Sequence, residues 1–143
     1  MVAQENVKLI VTTCNVVERG VRKCEKFWPE LNTKVQAMDE GCSIVYQGEQ
    51  KLSQHCFKRT FLFNDPNHGC KDQVITQLHY TGWPDHDVPR DDAMVSFGVM
   101  LFEFIEWLLK SNTDEKAVVH CSAGIGRTGT TICLAHAIVN IWA

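Results

Sequence analysis

A cysteine and an arginine five residues apart, Cys121 and Arg127, lie in the stretch AVVHCSAGIGRTGT from Ala117 to Thr130. Together they can attack and hold a phosphate. A loop that closes on itself between them puts a thiol on the floor of a small bowl and a guanidinium on its wall. Arginine offers a planar fork that grips two phosphate oxygens and does not deprotonate. The same positive surroundings lower a thiol's pKa and favour the nucleophilic thiolate. The backbone N–H groups of Ser122, Ala123, Gly124, Ile125, Gly126 and Arg127 can turn inward, because Gly124 and Gly126 accept angles that side chains forbid. A helix beginning near Arg127 aims its unpaired N–H groups and positive dipole end at the same point. Thr128 can donate its hydroxyl to the sulfur when the sulfur has to leave. A bare Cys-x5-Arg pattern arises readily by chance in a buried turn; strand, His120, two glycines and the Thr-Gly-Thr run together do not.

The elements that must position these residues are legible on either side. Ala117–Val119 is a short apolar run and reads as a buried strand delivering His120 and Cys121. Val7–Val11 is a β-branched run and reads as a central strand. Glu18–Gly20 reads as a turn; by composition alone Glu18, Arg19, Arg22 and Lys23 form a solvated loop. Glu30–Glu40 is polar and reads as loop, Cys42–Tyr46 as a strand. Phe57–Phe63 and Asp72–Tyr80 alternate about a turn signal at Asp65, Pro66, Asn67 and Gly69, which predicts an antiparallel pair. Asp91 or Asp92 can cap a helix whose buried face is Met94, Phe97, Leu101, Phe104, Ile105 and Leu108, ending near Lys110. Its aromatic stripe, with Trp107, is core material. Ser111–Glu115 is a polar link, and Thr128–Ala143 a strongly apolar final helix. This order implies one domain of α/β or α+β type, a mixed sheet flanked by helices.

Composition narrows the function classes. The chain has 143 residues, 45% hydrophobic and 22% charged, with net charge −3. That suits a globular core and disfavours nucleic-acid binding, since no basic patch exceeds Arg22-Lys23. Glu103 and Glu106 interrupt the longest apolar stretch, so no membrane span is expected, and the first residues do not read as a signal peptide. Seven cysteines, an odd number without a CxxC pair, point to a reducing compartment. A metal site from His55, Cys56, His68 and Cys70 is conceivable but lacks the spacing of structural zinc. His79, His86 and His136 read as structural or solvent-facing.

At this level of detail the sequence resembles the protein-tyrosine phosphatases. VHCSAGIGRTGT is similar to their signature loop, TGWPDHDVP (Thr81–Pro89) to their mobile acid loop, and NVVERGVRKCEKFWP (Asn15–Pro29) to the segment ahead of the acid loop's partner strands. The motifs occur in the family's order along nearly the whole chain. The resemblance implies a mixed, twisted sheet flanked by helices and hydrolysis of phosphotyrosine in proteins through a phosphocysteine on Cys121, without cofactor or metal. It implies phosphotyrosine proteins or peptides as partners, no nucleic-acid or membrane contact by this segment, and a cytoplasmic location, free or as the intracellular part of a receptor. Glu18 would hold Arg127 and Lys23 would sit near Asp85.

A tyrosine leaving group has a pKa of about 10, so an acid should protonate it as the bond breaks. Asp85, Asp87 and Asp91 are the candidates. Asp85 stands 36 positions before Cys121 (121 − 85), beside Trp83 as hinge anchor and Pro84 as backbone restraint, and it is the aspartate the resemblance assigns. His120 reads as orienting the loop and tuning the thiolate rather than as a general base. Asp87 occupies a position where the family commonly has glycine, and Phe27 lacks a hydroxyl that some relatives direct at the histidine. The family's domain is longer, so the chain is expected to be the middle of one, without the tyrosine loop that stacks on substrate and the glutamine loop that places water. Exposed apolar faces and low stability follow from that expectation. The rival readings are a phosphotyrosine-binding or regulatory module with weak turnover, or a non-functional fragment.

Overall fold

A computed structural model of the 143-residue chain describes residues 1–30, 33–36, 41–84 and 86–142, with 34–36 described by their backbone alone. Six strands form one mixed sheet: β1 (Val7–Thr12), β4 (Lys34–Gln36), β5 (Ser43–Ser53), β6 (Cys56–Asp65), β7 (Cys70–Tyr80) and β8 (Lys116–His120). Their spatial order is β4-β5-β6-β7-β1-β8. The β4-to-β7 part is antiparallel, whereas β1 runs parallel to both β7 and β8. The short ribbon β2 (Val17–Glu18) and β3 (Val21–Arg22) stands apart. Two helices complete the fold, α1 (Asp92–Lys110) and α2 (Gly126–Trp142).

The period-2 patterns place the core. Leu9 and Val11 of β1 and Leu78 and Tyr80 of β7 point to one face, where α1 lays Phe97, Met100, Leu101, Phe104 and Ile105 on them and α2 adds Ala135. The opposite face carries Trp28, Tyr46 and Phe61 and, nearer β8, an apolar cleft of about 400 Å³ lined by Ile10, Phe63, Ile75 and Val118 among others. Parallel strands need crossovers, and α1 supplies the one between β7 and β8. That crossover returns the chain to β1 and sets Cys121 just past the end of β8.

The mixed sheet and the antiparallel β6–β7 pair agree with the sequence expectation, and several details do not. Ala117–Val119 is half-buried rather than buried, since β8 ends the described sheet and pairs only with β1. On α1, Phe97, Leu101, Phe104 and Ile105 are buried as expected and Leu108 packs against the core, but Met94 is exposed and Met100 joins the core instead. Asp91 occupies the N-cap position of α1 without a side-chain cap bond; the first N–H groups go to the Arg90 and Asp91 carbonyls instead. Strand β4 lies within the segment read as loop, whose residues 31, 32 and 37–40 lie outside the described residues. The final helix is apolar by composition, yet Ile132, Leu134, Ile141 and Trp142 are exposed and only Thr128, Thr131 and Ala135 are buried.

Among the described residues no three His, Cys, Asp or Glu side chains are placed to share a metal ion. His55 and His68 flank opposite ends of β6, which separates the conceivable ligands. All seven cysteines are free thiols. No described helix is long and apolar enough to cross a membrane.

Candidate active site

The loop after β8 is built to gather N–H groups on one sulfur. Gly124 has φ +73°, a left-handed angle that reverses the chain and that side chains rarely adopt. Gly126 opens α2 with no such angle, and a Cβ there would meet nothing within 4 Å, so its backbone did not require glycine. Cys121 is buried at 5% exposure. The Thr128 Oγ1 donates to its Sγ at 3.1 Å. Burial alone would push this thiol up; the Thr128 hydroxyl and the N–H groups of Thr128, Gly124 and Ile125 outweigh it and hold Cys121 below the usual thiol range.

Arg127 is fixed from the other side of the molecule. Its Nη1 donates to Glu18 Oε1 at 2.7 Å and its Nη2 to Oε2 at 3.3 Å, a two-pronged pair with both side chains about a tenth exposed. Burial disfavours the guanidinium charge, and Glu18 more than offsets that, keeping Arg127 above its ordinary value. Glu18 reaches this place because Arg19 (φ 51°) and Gly20 (φ 77°) are both left-handed, the geometry of a two-residue hairpin turn. The Asn15 N–H donates to Glu18 Oε1 at 3.0 Å, and its side-chain amide donates to the Thr81 carbonyl at 3.0 Å. One asparagine thereby ties the hairpin to the start of the acid loop.

The segment Thr81–Arg90 lies across the mouth of this loop. The Trp83 ring packs edge-on against Phe97 (5.2 Å between centroids) and Tyr80 (6.5 Å), and its Nε1 donates to the Asp87 carbonyl at 3.0 Å. The Trp83 carbonyl accepts from Arg127 Nη1 at 3.4 Å. Gly82 is closely packed, since a Cβ there would lie 3.0 Å from His55 and Tyr80. Among the described residues of the loop, His86 (φ 58°) and not Asp87 is left-handed; Asp87 instead accepts from the Val88 N–H at 2.8 Å. Asp85 lies outside the described residues. Trp83, Pro84, His86, Asp87 and Lys23 line one cleft of about 440 Å³ with Cys121, Ser122, Ala123, Gly126, Arg127 and Thr130. Lys23 is thus brought to the acid loop's rim.

Beneath the loop, His120 bonds Thr12 Oγ1 through Nε2 at 2.9 Å and the Cys121 carbonyl through Nδ1 at 3.1 Å. Thr12 in turn meets Gln77, and Gln77 meets Arg59. His79 is buried and bonded to Arg59 and the Cys14 carbonyl, while His86 and His136 are exposed. Sequence reasoning missed Asn15, Thr12, Gln77 and Arg59. The available signal was polar residues at inward positions of otherwise apolar strands, which are rare unless paired.

With this geometry in place, comparison with known proteins is direct. The sequence model described as protein-tyrosine phosphatase matches residues 1–143. Tyrosine-protein phosphatase non-receptor type 4 of Mus musculus is 31% identical over 147 residues, covering 99% of this chain and 14% of that protein. Receptor-type tyrosine-protein phosphatase zeta of Homo sapiens is 35% identical over 141 residues, covering 94% of this chain and 6% of that protein. A solved structure of PTPN18 in complex with HER2 phosphopeptides superposes with TM-score 0.76 at 28% identity, covering 91% of this chain and 45% of that one. The chain therefore spans a small part of these curated relatives and under half of the solved one. Matched along its whole length, it belongs to the protein-tyrosine phosphatase family.

Proposed function

We propose that this chain carries the phosphotyrosine-hydrolysing centre of a protein-tyrosine phosphatase, with Cys121 as nucleophile, Arg127 as phosphate clamp and Asp85 as general acid and then base. The single observation that supports this most is a thiol held below its usual range beside a guanidinium fixed by Glu18. The Cys121 thiolate attacks phosphorus while the bond to the tyrosine oxygen breaks. Asp85 gives its proton to that oxygen, so tyrosine leaves neutral. The N–H groups of Gly124, Ile125 and Thr128 that face the sulfur, with the Arg127 fork, match the charge spread over the three transferring oxygens. Water then attacks the phosphocysteine, Asp85 takes a proton from it, and the thiolate departs toward the Thr128 hydroxyl, releasing inorganic phosphate.

His120, Glu18, Lys23 and Trp83 act on this chemistry by placing its participants. Relatives of this fold hold phosphopeptides, and a cleft open at Lys23 and Asp87 suits a phosphotyrosine on a polypeptide. Free cysteines suit a reducing setting, which we take to be the cytoplasm or the cytoplasmic part of a receptor.

The test is release of phosphate from a chromogenic aryl phosphate by the purified chain. Cys121→Ser is expected to lower it by roughly a thousandfold or more and to retain phosphopeptide binding. Release that survives the substitution rejects the cysteine mechanism. Phosphopeptide binding without release by the unsubstituted chain assigns a binding module instead.

A further inference from the structure

Five consecutive strands of the sheet each contribute one polar side chain to a row that ends at Cys121. Glu49 stands on β5, Arg59 on β6, Gln77 on β7, Thr12 on β1 and His120 on β8. Thr12 and Gln77 are fully buried and Arg59 is 9% exposed. Such groups are placed at a cost unless each is bonded, and here each is.

The chemistry of the atoms fixes the direction of every bond. Arg59 can only donate: its Nε goes to Glu49 Oε2 at 2.6 Å, and its Nη1 to Gln77 Oε1 at 3.1 Å and His79 Nδ1 at 2.8 Å. Because Gln77 Oε1 faces Arg59, its amide nitrogen faces Thr12 and donates to Oγ1 at 3.0 Å. At the far end, the Cys121 carbonyl can only accept, so His120 Nδ1, 3.1 Å away, carries a hydrogen. A neutral ring protonated there has a lone pair on Nε2, and the Thr12 hydroxyl, 2.9 Å from it, donates. All four donors point the same way, from the Arg59 charge toward Cys121, an arrangement in which each bond polarises the next.

We infer that the Arg59–Gln77–Thr12–His120 row is a one-directional relay that fixes the His120 tautomer and holds the Cys121 carbonyl turned away from its own sulfur, making Thr12 and Gln77 positioning residues for the nucleophile. The inference rests on the assignment of Cys121 as nucleophile. A trans peptide keeps its C=O and following N–H antiparallel, so a Cys121 carbonyl pinned to the ring sends the Ser122 N–H away from it. Released from the ring, the carbonyl can rotate its negative end toward a thiolate. Phe27 also meets the His120 ring, edge-on at 6.5 Å between centroids, but offers no hydroxyl, so Thr12 is the residue that sets the Nε2 side.

Among the described residues, the charged and titratable groups facing this end of the sheet include Glu49 from β5, Arg59 from β6, His79 from β7, Cys14 from the loop after β1 with Cys24 beside it, Glu18 from β2 and Arg127 from α2. Burial pushes His79 down to about 4 and Cys14 up to about 12, so both are uncharged near neutrality. Glu18 is taken up by Arg127 and Glu49 by Arg59. Arg59, always protonated and able only to donate, therefore sets the direction of the row at its start whatever the pH near neutrality.

The test reads Cys121 directly, without turnover. Iodoacetamide alkylation of Cys121 in the full chain, followed against pH, reports the thiolate, and nitrogen-15 NMR of the histidine rings reports the tautomer. Thr12→Val should shift the alkylation profile to higher pH and slow the reaction at about pH 6 by roughly three- to tenfold, the worth of one hydrogen bond. Thr12→Ser, which restores the hydroxyl, should return it to the original profile. The His120 ring of the unsubstituted chain should carry its proton on Nδ1. A Thr12→Val profile equal to the original, a Thr12→Ser profile equal to Thr12→Val, or a proton on Nε2 overturns the relay. The last measurement decides the matter even if Thr12→Val does not fold. Normal thiolate alkylation with no phosphate release would end the hydrolase reading and leave the relay standing.

Discussion

The loop around Cys121 and the loop around Asp85 face each other across one cleft and are held in opposite ways. Around Cys121 nearly every polar group has a fixed partner: Thr128 and three N–H groups on the sulfur, Glu18 on Arg127, His120 on the carbonyl. The acid loop is held by Trp83 packing against Phe97 and donating to the Asp87 carbonyl, and by buried Pro89, while Pro84, His86, Asp87 and Val88 are exposed. One loop presents N–H groups and a guanidinium at a buried sulfur, and the other lines the far side of the same cleft with largely exposed residues. The difference assigns different kinetic signatures to substitutions on the two sides.

On the fixed side, the largest effect is expected from Arg127→Lys. A lysine keeps the charge but loses the fork and the pairing to both Glu18 oxygens, and kcat/KM should fall by about a thousandfold for every aryl phosphate, whatever its leaving group. On the acid-loop side, Asp85→Asn should lower kcat by about a hundredfold to a thousandfold for phenyl-like leaving groups and much less for nitrophenyl phosphates, which need no proton. Its pH profile should lose the basic limb. Equal losses for good and poor leaving groups would remove Asp85 from the acid's role and return the choice to Asp87 or Asp91.

Glu18→Gln sharpens the comparison at a smaller scale. One oxygen still accepts from Arg127, but the charge that keeps the guanidinium in place is gone. We expect about a tenfold loss in kcat/KM, carried mainly by KM. A loss equal to that of Arg127→Lys would mean that Arg127 does not hold its position by the loop alone, and no loss would mean that the Trp83 carbonyl and the loop suffice.

How much of this was readable in the sequence follows the same division. The strand–loop–helix around Cys121 was legible because its signals are local: an apolar run, a glycine for the reversal, a helix start. The antiparallel β6–β7 pair was legible from alternation about Asp65–Gly69. The Glu18 pairing came only through family resemblance, since composition made that hairpin a solvated loop; the contact spans 109 positions. The relay was invisible for the same reason. Nothing in the neighbours of Thr12 or Gln77 says that parallel pairing with β7 and β8 will set them side by side. The burial of Ala117–Val119 was misjudged because an apolar run does not state how many strands will flank it.

The weakest expected effect probes the floor on which the fixed loop rests. His79 donates from Nε2 to the Cys14 carbonyl and accepts on Nδ1 from Arg59, a neutral ring with both nitrogens in use, and burial pushes it from 6.5 down to about 4. The unfolded chain binds a proton at this ring below about 6.5, whereas the folded chain declines it until about 4, so between these values the unfolded state holds more protons and stability rises with pH. Acidification through this window should therefore lower Tm progressively. The carboxylates held low, Glu5, Glu30 and Glu106 beside their lysines and Asp65 beside His68, start from 4.5 or below in the unfolded chain and so contribute chiefly below about pH 5.5, leaving the upper part of the window to His79. Calorimetry of His79→Asn should give a lower Tm at neutral pH and a flatter dependence between about 6.5 and 4.5. An unchanged slope would place the acid sensitivity elsewhere and separate the floor from the loop above it.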